Sequence, residues 1–191
     1  ARILRNGVEA LDEFEKALQL APAGTHQAWS SAATGQVQAL LELDRSGEAA
    51  ALADEHVATA ERVLGYVPDP LQLIRSLAFA RDRRENAASG AEEVIARLHG
   101  QGTGGLLLGY AHEIRALIAQ ELADDSAFEA HAQVCRELYL THKHPALKAK
   151  VQRLLHARRR NTAPSSEQLL GSLDSTSALS TSRIEVALSQ C

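Results

Sequence analysis

Cysteine occurs only at positions 135 and 191, methionine not at all, and Phe, Trp and Tyr together make up 4% of the 191 residues. Two distant cysteines build neither a disulfide framework nor a C-x2-C metal pair, so a reducing, cytoplasmic setting is expected. No segment approaches the roughly 20 apolar residues that cross a bilayer, and the opening ARILRNGVEALDEF lacks the apolar core of a secretory signal. Membrane partners are therefore not expected. Nucleotide and hydrolase signatures are missing too: there is no G-x-x-x-x-G-K-[ST], G-x-G-x-x-G or G-x-S-x-G, and no cofactor is expected. The run Gly102-Thr103-Gly104-Gly105 has no following lysine to hold a phosphate and reads as a turn. A chain that opens on Ala1 without a methionine is expected to be a piece of a longer polypeptide.

What is present is alanine, with 34 copies, which favours closely packed helices over strands. The spacing of apolar residues predicts an all-α domain of about eight helices over residues 1–160. The first covers Gly7 to Pro22. The next runs from Thr25, a candidate N-cap, with Trp29, Ala33, Val37 and Leu40 on one face. After the turn at 44–47 comes a helix with Ala53, Val57, Ala60 and Leu64 inward, stopped by Gly65 and Pro68. Asp69-Pro70 reads as an N-cap and first helical position, opening a helix to about Asn86 with Leu73, Ile74, Leu77 and Ala78 buried. Ser89 with Glu92 is a capping-box pattern for a short helix burying Ile95 and Leu98. Leu107, Ala111, Ile114, Ile118 and Leu122 mark the following helix, Phe128, Ala132, Cys135 and Leu138 its hairpin partner, and Leu147, Val151, Leu154 and Leu155 a final helix after Pro145. Trp29, Val37, Leu64, Leu77, Ile114, Ile118, Phe128 and Cys135 are the expected core. Residues 161–191, with 11 Ser or Thr, read as a linker or weakly ordered tail in which Ser182 and Glu185 could start a further helix.

Within the first helix, Ala10, Phe14, Ala17 and Pro22 fit A-x3-F-x2-A-x4-P, the second-helix pattern of a tetratricopeptide-type repeat. Small alanines let two helices approach, Phe14 fills the gap beyond them, and Pro22 ends the ladder. Pair boundaries near Pro22, Pro68, Gly102 and Pro145 are 46, 34 and 43 residues apart, which predicts an irregular antiparallel helix-pair stack, a right-handed solenoid segment. Beyond Gly105 a further set of residues stands out: Gly105 and Gly109, His112-Glu113, Arg115-Ala116, Ile118-Ala119, Phe128, His131, Cys135, Pro145-Ala146-Leu147 and Ala157-Arg158. Over these 55 or so residues the chain resembles the helical-repeat segments of maltose-regulator-type activators in large bacterial signalling proteins, often C-terminal to a serine/threonine kinase or ATPase module. It departs from that pattern at His131, where the repeat carries a small residue. The resemblance implies a sensor or docking surface within a regulatory protein.

Three sets of residues remain as candidates for chemistry. His112-Glu113 opens like the zinc-protease H-E-x-x-H, but Ala116 stands where the second histidine belongs, which removes that reading. A metal set of His112, His131 and Cys135 is the softer alternative, because residues 131 and 135 share a helical face. The simpler reading is packing: His131 and Cys135 lie on the face of Phe128, with His112 hydrogen-bonding across. The third set is basic. Lys143 to Arg160 holds seven basic residues and no acidic one, against 13 basic and 24 acidic residues elsewhere. Lys148, Lys150, Arg153, Arg158, Arg159 and Arg160 could dock an acidic protein or peptide partner, another domain of the parent chain, or nucleic acid. No DNA-binding motif and no aromatic accompanies them, so a protein interaction scaffold is the favoured function and a nucleic-acid-binding module the alternative. No catalytic residue is assigned.

Overall fold

The computed structural model describes residues 2–24 and 28–162, with side chains for residues 7–24 and 28–156. Eight helices follow one another: α1 Arg2–Leu20, α2 Ala28–Glu42, α3 Ser46–Leu64, α4 Asp69–Arg81, α5 Ser89–Gly100, α6 Leu106–Glu121, α7 Asp125–Thr141 and α8 Pro145–Thr162. No strand occurs among the described residues, and none of their helices is long and apolar enough to cross a membrane. The chain divides into a compact unit of residues 1–154 and a second unit of residues 155–191, the division falling within α8. Thr25 and residues 163–191, with the Ser182/Glu185 pattern, lie outside the described residues.

Within the first unit each helix from α1 to α6 packs on the next, and α4 also packs on both α2 and α6. The apolar residues build two clusters. The larger joins α2 to α6 around Val37, Leu71, Leu73, Ile74, Val94 and Ile118. The smaller joins α6, α7 and α8 through Ala116, Ala119, Phe128, Ala132, Cys135, Tyr139, Val151 and Leu154. Helix α6 faces both, which is why it is apolar on more than one side.

Glycine sets the closest approaches. A Cβ on Gly109 would lie 2.6 Å from Tyr139 Cε1, and one on Gly35 would overlap the Phe14 ring. At both places an aromatic ring of one helix seats on the bare backbone of its partner, a contact alanine would block. The ring of Phe14 in α1 thus has its seat on Gly35 of α2.

The turns have a common construction. Arg45, Arg84, Thr103 and Asp124 each donate their backbone N–H to the carbonyl five residues earlier, closing the preceding helix with a Schellman-type bond. Asp44, Arg83, Gly102 and Ala123, one residue before each donor, have positive φ. Only one of the four is glycine, so these stops carry few letters in the sequence.

Several expected details differ. Helix α4 ends at Arg81, not near Asn86, because the backbone turns left-handed at Arg83 and again at Asn86. Pro68 is the N-cap of α4, and Asp69 and Pro70 are its first two residues. The Ser89/Glu92 capping box does not form: Ala88 is the N-cap, Ser89 Oγ donates to the Asn86 carbonyl, and Glu92 is engaged elsewhere. Leu64 is half-buried and Leu122 and Leu155 are exposed, each at or past the end of an apolar face. Leu108 and Tyr139 are buried, with Leu107 and Leu138 half-buried beside them.

Candidate functional site

Helix α6 carries three polar side chains, His112, Glu113 and Arg115, into its interfaces. His112 and Arg115 are among the few buried polar residues described. His112 Nδ1 is 2.8 Å from His131 Nδ1 of α7, so one ring donates and the other accepts. The rings lie 5.0 Å apart and tilted, and His99 of α5 meets His112 edge-on at 5.9 Å. Burial holds His112 down to about 4, helped by His131 and then His99. Burial also lowers His131, Arg115 adding to it while Glu92 and Asp124 oppose. Arg115 Nη2 and Nε donate to Glu92 Oε1 at 2.8 and 3.1 Å. His112 Nε2 and Arg115 Nη1 are buried without a protein partner.

On the other flank of α6, Glu113 Oε2 accepts from Tyr139 Oη at 2.6 Å and from Lys150 Nζ at 2.9 Å. The Lys150 ammonium also sits over the Tyr110 and Tyr139 rings at 5.5 and 5.8 Å. A cation held by both a carboxylate and two ring faces fixes α8 to α6 and α7. Burial, reinforced by the Glu113 charge, pushes the Cys135 thiol up to about 12, leaving a protonated, packed side chain. Burial and then Glu113 likewise raise Tyr110 to about 12.

His112 and His131 do meet. Among the described residues, however, no three His, Cys, Asp or Glu side chains cluster closely enough to hold a metal ion, so Cys135 does not complete a site with them. Of the basic set, Lys148 and Arg153 are exposed. Lys150 turns inward to Glu113, because that carboxylate would otherwise be buried with only one partner. The side chains of Arg158, Arg159 and Arg160 lie outside the described residues. A depression of about 300 Å³ between Tyr139, Leu140, Pro145, Lys143 and Lys148 marks the α7–α8 turn.

A groove that no sequence feature announced runs over α4, between α3 and α5. It measures about 560 Å³ and is lined by Val57, Glu61, Tyr66, Gln72, Arg75, Glu93 and Arg97, among others. It continues past Arg75, Phe79 and Glu93 toward Asn86. Its guanidiniums are held in place: Arg97 pairs with Asp69, and Arg75 Nε donates to Asp54 Oδ1 at 2.8 Å. Arg84 Nη1 donates to the other oxygen of Asp54 at 2.9 Å. Arg75 and Arg84 enclose Phe79, each guanidinium carbon 4.6 to 4.7 Å from the ring centre. Such a surface offers fixed charges, amides and two aromatic rings, Tyr66 and Phe79, to an extended ligand. The chain matches no protein-family model, no curated protein and no solved structure in the three comparisons made.

Proposed function

We propose that this chain is a helix-pair repeat module, a right-handed tetratricopeptide-like stack that holds a protein or peptide partner for a larger regulatory protein. One observation carries the reading: every helix from α1 to α6 packs on its successor, while α4 also packs on both α2 and α6. That is how an array grows by adding pairs, each new pair burying its face against the last. The groove over α4, walled by α3 and α5, is the surface such an array offers to a partner. The maltose-regulator-type resemblance over residues 105–158 supports a place in a bacterial signalling protein beside a kinase or ATPase module.

Selecting peptides from a random library on the immobilised chain tests this. Selected peptides should shift amide resonances of Gln72, Arg75, Glu93 and Arg97 and lose at least tenfold in affinity with Glu93→Lys or Arg97→Glu. Peptides indifferent to both changes, or a library that yields none, would count against the groove. The nucleic-acid reading rests on the exposed Lys148 and Arg153 of the basic helix. Duplex binding that persists at physiological salt and vanishes with R158E, R159E and R160E together would favour it.

A further inference from the structure

We infer that the His112–His131 contact is a proton-controlled latch between α6 and α7, closed while the pair is neutral and opened when both rings are protonated.

The geometry leaves room for one proton between the facing nitrogens. At 2.8 Å, one Nδ1 must donate and the other accept. Two imidazolium rings would point N–H at N–H, two like charges inside an interface where His112 is only 5% exposed. The surroundings do not offset that. From α5 come His99, edge-on to His112, and Glu92, whose Oε1 is held by Arg115. From α6 comes the Arg115 cation itself, and from α7 the Asp124 carboxylate, which caps that helix by accepting from Ala127 N–H at 2.9 Å. Helix α4, also packed on α6, points its cations elsewhere, Arg75 to Asp54 and Arg81 to Glu121. On α8, Lys150 is bound on the Glu113 flank. The two carboxylates that favour a charged His131, Glu92 and Asp124, are both tied to other donors, and burial together with the Arg115 cation outweighs them.

What the latch holds is a separable part of the fold. Behind it lies the smaller cluster of Phe128, Cys135, Tyr139, Val151 and Leu154, distinct from the larger core of α2 to α6. Opening therefore loosens α7 and the start of α8 while the rest of the stack keeps its own core, and it uncovers the Ala116 and Ala119 face of α6.

The sign follows from where the proton binds. A ring held near 4 in the closed form and at the ordinary 6.5 in the open form binds protons preferentially when open. Acidification from pH 7.5 to 5 then lowers the closed-to-open ratio on the order of 30-fold through His112 alone. His131 is shifted in the same direction.

Amide hydrogen exchange at pH 7.5 and pH 5, corrected for intrinsic rates, reads this directly. Protection across α7 should fall on the order of 30-fold, with α2 to α4 changing far less. The double variant H112Q/H131Q should flatten the α7 response, because glutamine can hydrogen-bond across the interface but cannot titrate. His56 is a second buried histidine, bound to Gln36 Oε1 in the larger core, so His56→Gln serves as the control and should leave the α7 response intact. An equal loss in H112Q/H131Q, a response removed by His56→Gln, or a uniform loss along the chain would overturn the proposal. Should the double variant not fold, 13C NMR titration of the histidine rings in the native chain decides the matter. A His112 ring still neutral at pH 5 supports the latch, and one titrating near 6.5 sinks it.

Discussion

Phe128 and Ile118 show how much a single side chain does here. Phe128 is 2% exposed in the smaller cluster, and Ile118 is fully buried on the α6 face that belongs to the larger one. Truncating either leaves a void walled by helices that cannot collapse independently, so Phe128→Ala and Ile118→Ala should each cost about 2–5 kcal/mol. Chemical denaturation measures this, and a loss below about 1 kcal/mol would mean the face has been misassigned. Gly109 makes the converse point. Alanine there is the better helix former by about 1 kcal/mol, yet its methyl would meet the Tyr139 ring. Gly109→Ala should therefore destabilise by about 1–3 kcal/mol, an overpacking cost that reverses the propensity ranking. A gain in stability would show that Tyr139 can step aside.

At the level of the helix, the turns matter more than the caps. Ala123 sits at φ 56° between α6 and α7, where a Cβ is crowded and glycine is not. Ala123→Gly should raise stability by up to about 1 kcal/mol, the relief of the left-handed backbone outweighing the added freedom of the unfolded chain. A melting temperature that falls instead would show the strain to be absent. The same turn explains what the sequence could and could not disclose. Apolar periodicity carried the helices because buried faces need it. Trp29, Val37, Leu77, Ile114, Ile118, Phe128 and Cys135 are all buried as expected. Helix ends were less legible, since Asp44, Arg83 and Ala123 take a conformation usually advertised by glycine. Glu92 looked like a capping partner for Ser89, but the buried guanidinium of Arg115 makes a stronger claim on its carboxylate. Tyr139 lies eleven residues after Phe128, on the stripe of Phe128, Ala132 and Cys135, so its burial could have been read there. Its bond to Glu113, the inward turn of Lys150 and the groove over α4 depend on which helices become neighbours, and local sequence does not encode that. His112 and His131 could be paired in advance only because they flank one short hairpin.

For the molecule as a whole, the decisive property is that two apolar clusters meet at α6, where Leu117 packs against both. Each cluster draws on helices that the other does not, so weakening one need not unfold the other. The chain contains a convenient reporter, because its single tryptophan, Trp29, lies in α2, 5% exposed within the larger cluster. Its ring meets His56 edge-on at 5.9 Å, so its fluorescence reports on that cluster. Helical ellipticity follows all of the helices. For the unaltered chain near neutral pH the two denaturation curves should nearly coincide, since the α6–α7 interface couples the clusters. In Phe128→Ala, which removes a buried aromatic ring from the smaller cluster, part of the ellipticity should be lost before Trp29 fluorescence changes. Ile118→Ala strikes the larger cluster instead and should move both curves together. Coincident curves in both variants would mean that the two clusters unfold as one cooperative unit. Early fluorescence loss in Phe128→Ala would place Trp29 under the control of α7, which the packing of α2 on α1, α3 and α4 does not support.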